Sequence, residues 1–164
     1  METTSYPLSM DNIEDNIKNS DSFVAELIRS FDEGWAARGK DDLERYHDRL
    51  KANIMNTVTY LLEVFKYCTV INIYPVSAFV KIEDPQSMAV LLTVTMDNYL
   101  NRKLLKLHGK TIDIEQSSRS EDYTLSFSVV CDYGSLNEES LNCDGFIKID
   151  LPDFEQLKEE SRPS

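Results

Sequence analysis

Residues 69–96 read TVINIYPVSAFVKIEDPQSMAVLLTVTM, and the fold turns on this stretch. Upstream of it, apolar residues recur every three to four positions. Within it, they alternate or run together. Residues 69–74 (TVINIY) and 78–83 (AFVKIE) read as strands on either side of Pro75, either one bent strand or two short ones. Asp84-Pro85 marks a turn. Residues 88–96 are apolar on both faces, as a central strand requires.

On the N-terminal side, residues 41–66 predict an amphipathic helix. Asp41 is its expected cap, and Glu44 stands at the capping-box position. Leu43, Tyr46, Leu50, Ile54, Val58, Leu61, Leu62 and Phe65 form its stripe. A preceding helix is expected from about residue 21, with Phe23, Leu27, Phe31 and Trp35 at i, i+4, i+8 and i+12 and Gly39 as its stop. The two would make a helical hairpin. Residues 1–20 are polar, without a clear period, and read as a flexible arm.

On the C-terminal side, DNYLNRKLLKLHG predicts a helix begun by Asp97 and ended by Gly109, with Leu100, Leu104 and Leu107 on one face. TIDIEQ then alternates as a strand would, Ile112 and Ile114 inward. Residues 123–130 (YTLSFSVV) alternate strictly, with Tyr123, Leu125, Phe127 and Val129 on one face, which suits an antiparallel strand with one wet side. FIKIDL (146–151) is the last expected strand, with Ile147, Ile149 and Leu151 inward. Residues 153–164 form an acidic polar tail.

This order predicts an α+β domain over residues 21–152: an N-terminal helical hairpin packed on a mainly antiparallel sheet of about four to six strands, with one inserted helix. A chain of 164 residues is enough for one good core. No run reaches the roughly 18 apolar residues of a membrane helix. The first residues lack the basic and apolar regions of a secretory signal. A cytosolic chain is therefore expected, with its three cysteines reduced.

The net charge of −12 is uneven: residues 121–164 carry eleven acids and three bases, or −8. A field of this sign opposes nucleic acid and anionic membranes; it suits a basic protein partner, or simply serves solubility, which charge excess alone already explains. The opposite sign appears locally in NRKLLKLHGK, with Arg102, Lys103, Lys106 and Lys110. Leucines spaced for a core make it a solvated helix face.

The remaining chemistry lies in residues 129–150, VVCDYGSLNEESLNCDGFIKID. Cys131 and Cys143 are each followed by aspartate. Structural zinc sites use closely spaced pairs, and here eleven residues intervene. DYGSLNEESLNC places Gly134 third and a cysteine twelfth, which fails the calcium-loop pattern. Gly134-Ser135 followed by acids faintly resembles the Gly-Ser and Asp-x-Asp arrangement of nucleotidyltransferases. Phe146, however, stands where the second metal-binding carboxylate belongs. Asp144-Gly145 reads as a tight turn, and Ser135 with Glu138 as the cap and box of one helical turn. No phosphate-binding glycine loop and no nucleophile elbow occurs.

The expected function is accordingly a non-catalytic interaction or regulatory protein that binds a basic partner and holds no cofactor. Its oligomeric state is left open. The alternative is a small-molecule or metal-dependent enzyme, of which a degenerate nucleotidyltransferase-like domain is one form. Its candidate site in loop 131–145 would comprise Asp132, Ser135, Glu138, Cys143 and Asp144.

Overall fold

The computed structural model describes residues 40–134 and 136–160. The expected arm at 1–20 and the helix over 21–39 lie outside the described residues. So do the first half of the helical hairpin and the end of the acidic tail.

The first described helix, α1 (Lys40–Ile71), carries the predicted stripe. Tyr46, Leu50, Ile54, Val58, Leu61 and Phe65 are buried. The chain is already helical at Lys40, so Asp41 lies within the helix rather than at its cap. The strand expected over 69–74 is absent. Phe65, Cys68 and Ile71 continue the helical stripe and are all buried, and extending a formed helix outweighs the β preference of Thr69, Val70 and Ile71. Asn72 ends the helix at φ 54°, and the Ile73 amide bonds back to the Cys68 carbonyl at 3.2 Å. This is a Schellman stop, with asparagine in the left-handed position that few residues other than glycine accept.

Four strands follow among the described residues: β1 (Ser77–Asp84), β2 (Ser87–Val94), β3 (Thr124–Cys131) and β4 (Phe146–Ile149). Their order is β3-β2-β1-β4. β1 pairs antiparallel with β2 through the Asp84-Pro85 turn, and antiparallel with β4. β3, read as antiparallel, pairs parallel with β2. Alternation sets which face a residue takes but carries no strand direction. Here the direction follows from the helical crossover between the two strands.

That crossover holds two helices where one was expected: α2 (Met96–Tyr99) and α3 (Leu104–Ser118). The strand read in TIDIEQ is helical. Leu104, Leu107, Thr111 and Ile114 are buried at helical spacing, while Ile112 is exposed. A six-residue alternation is too short to separate the two periods. Gly109 does not stop the helix but lies inside it, with open space where a side chain would stand. The helix breaks earlier. Leu100 caps α2, and Asn101 Oδ1 accepts the Lys103 amide at 2.9 Å.

One sheet face carries Ala78, Val80, Met88, Val90, Leu92, Leu125 and Ile149, and these join the buried residues of α1 and α3 in the main core. Helix α5 (Phe154–Glu160), in the expected polar tail, closes that core with fully buried Leu157. The connection from β3 to β4 runs back across the sheet, opposite in sense to the β2–β3 crossover. Right-handed connections then use opposite faces. The contacts agree, because Glu138 of α4 (Glu138–Cys143) bonds Lys148, which pairs across the sheet with Phe79 on the second face.

Candidate functional site

The candidate site is this second crossover, residues 131–145. It leaves β3 at Cys131, whose Sγ lies 3.9 Å from Met96 Sδ. The Asp132 amide bonds the Val94 carbonyl at 2.8 Å, which extends the parallel ladder by one bond. Its carboxylate accepts the Gly134 amide at 2.7 Å in an Asx turn, and Gly134 supplies the positive φ of 80°. Ser135 lies outside the described residues. The cap expected there is provided by Asn137, whose Oδ1 accepts the Ser140 amide at 3.0 Å.

The other candidates are placed as follows. Glu138 accepts from Lys148 Nζ at 2.7 Å, with both groups well exposed. Cys143 is an exposed free thiol in the last turn of α4. Asp144 caps the C-terminus of α4, its amide bonding Ser140 O at 3.0 Å, and Gly145 follows at φ 91°. A side chain at Gly145 would lie 3.8 Å from Lys81 Cε. Lys81 in turn stands over the Phe146 ring at 5.5 Å, so Phe146 packs where a second carboxylate would be needed. Among the described residues, no group of three His, Cys, Asp or Glu is placed to share a metal ion. Asp132 and Asp144 act as turn and cap, and Glu138 as one half of an ion pair.

Two groups with strongly raised pKa values lie in the core instead. Burial pushes the Cys68 thiol from 9.0 up to about 12. Burial also pushes Tyr123 from 10.0 up to about 12. The Tyr123 hydroxyl lies 2.9 Å from Thr57 Oγ1, which itself bonds the Asn53 carbonyl at 2.8 Å. Thr57 has one proton and spends it on Asn53, so Tyr123 donates. Nearby, an apolar void of about 10 Å³ is lined by Ile54, Thr57, Leu61, Val80, Met88 and Ile149. It has room for one water at most, and its walls carry little to bind one.

The sequence reading missed the end of the sheet where β2 and β3 finish. Leu100 was placed on the core face with Leu104, yet it is 73% exposed because the helix breaks between them. The available signal was Asn101, a residue that bonds its own backbone and interrupts helices.

No protein-family model matches this chain, and no curated protein or solved structure shows significant similarity to it. Among the described residues, no helix is long and apolar enough to cross a membrane.

Proposed function

We propose that the chain is a non-catalytic cytosolic interaction protein that binds a basic protein partner through its acidic C-terminal quarter. The observation that carries this reading is the state of the eleven acids in residues 121–160. Nine are exposed, and Asp132 and Asp150 are half-buried. Asp122 pairs with Arg49 at 3.2 Å and Glu138 with Lys148 at 2.7 Å. The other nine have no cationic partner among the described residues. Unneutralised carboxylates around α4 and α5 produce a field that steers a cationic surface and weakens with salt.

The experiment is native mass spectrometry on the full chain, purified gently at low salt from its own cells. A Lys/Arg-rich chain bound at low salt and released at high salt is expected. The triple variant Glu155→Gln, Glu159→Gln, Glu160→Gln should weaken that complex without unfolding the protein, because all three positions are exposed. Repeated recovery without a second protein would defeat the reading. A bound metal or metabolite would move the function to residues 131–145.

A further inference from the structure

Six of the large apolar side chains exposed among the described residues are Val76, Met96, Tyr99, Leu100, Leu105 and Tyr133. They gather at one end of the sheet, around the end of β2. The Val76 amide bonds the Thr93 carbonyl at 2.7 Å, and the Asp132 amide next to Tyr133 bonds Val94. Met96 touches Cys131. Tyr99, Leu100 and Leu105 follow on the α2–α3 elbow, with Leu100 and Leu105 73% and 72% exposed. Exposed apolar side chains gathered at one end of a sheet mark a surface that another molecule covers.

We propose that this end of the sheet is the interface between two copies of the chain related by a twofold axis. The charges at its rim fit this occupant. Arg102, Lys103 and Lys106 are exposed and have no carboxylate partner among the described residues. Asp97 is exposed on α2, and Asp132 sits half-buried at the end of β3. A twofold interface must be complementary to itself, and a rim that carries both signs of charge around an apolar centre allows each copy to pair with the other. This end of the molecule has that composition. A lipid surface is a poorer occupant, since an anionic bilayer would meet a chain of net charge −12.

The test is the mass of the full-length protein in solution, by sedimentation equilibrium over a concentration series, for the wild type and for Leu100→Glu and Leu105→Glu. Both positions face solvent in the single chain, and circular dichroism checks that each variant is folded. The wild type should approach twice the chain mass as concentration rises, and both variants should stay at one chain mass. A wild type that remains monomeric throughout the series overturns the proposal. So does a dimer that survives both substitutions. Vesicles of phosphatidylserine and phosphatidylcholine provide a further arm: co-sedimentation of a monomeric wild type, lost in Leu100→Glu, would assign the patch to lipid instead.

Discussion

The side chain of Asn53, midway along α1, donates to the backbone carbonyl of Asp122, 69 positions away, at 2.8 Å. Its second amide proton goes to the Pro85 carbonyl at 2.7 Å. One buried amide thus ties the long helix to the β1–β2 turn and to the entry of β3. Arg49, one turn earlier, reinforces the junction through Asp122 at 3.2 Å.

Replacing Asn53 by alanine strands both carbonyls. The expected loss is about 2 kcal/mol, since each unsatisfied buried group costs roughly 1–3 kcal/mol and water recovers part of it. Denaturant unfolding of Asn53→Ala checks this. Arg49→Ala removes only an exposed ion pair and should cost less than about 1 kcal/mol.

Gly109 lies inside α3 with no atom within 4 Å of an added Cβ. Alanine there removes the entropic penalty of a mid-helix glycine and should stabilise the protein by roughly 0.5–1 kcal/mol. The melting temperature of Gly109→Ala should rise. A fall would mean that the helix does not pass through this residue.

Alkaline pH should destabilise the fold. Cys68 and Tyr123 are neutral when protonated, and burial favours that form in the folded state alone. Their folded pKa values are both raised to about 12, from 9.0 and 10.0. Their contribution is therefore complete below pH 9 and is lost as pH rises from 9 towards 12. For Tyr123 the loss is of order 2 kcal/mol, from a shift of about two pKa units. Melting curves from pH 8 to pH 11 should show the decline, and Tyr123→Phe should flatten its upper part. By the same argument, iodoacetamide at pH 8 should label exposed Cys143 and leave Cys68 intact in the folded protein.

The turn that follows α4 separates two demands on adjacent residues. Asp144 is exposed at φ −79°, so Asp144→Asn should leave the melting temperature unchanged. Gly145 holds φ 91°, and Gly145→Ala should cost about 1–2 kcal/mol for a strained left-handed residue. Under the interaction reading, millimolar magnesium, manganese, zinc or nucleotide leaves the melting temperature of the wild type in place. A ligand-induced rise that disappears in Asp144→Asn would instead establish an enzyme-like site there.

The parts of the fold that rest on local periodicity were legible in the residues alone. The α1 stripe from Tyr46 to Phe65, the turn at Asp84-Pro85 and the inward row Tyr123, Leu125, Phe127 and Val129 were all legible. Each follows from side-chain spacing over a few residues, which one strand or helix expresses on its own. Tertiary structure decided the rest. Thr69 to Ile71 became helical because Cys68 and Ile71 complete a buried stripe that no six-residue window displays. TIDIEQ became helical because Thr111 and Ile114 continue the face begun by Leu104 and Leu107. β3 runs parallel to β2 because the helices between them carry the chain back to the starting end of the sheet. The acids of residues 131–145 were legible as residues, but their arrangement was not. Whether Asp132, Glu138 and Asp144 converge depends on the path of a crossover over the second sheet face, and that path is set by packing between segments far apart in the chain.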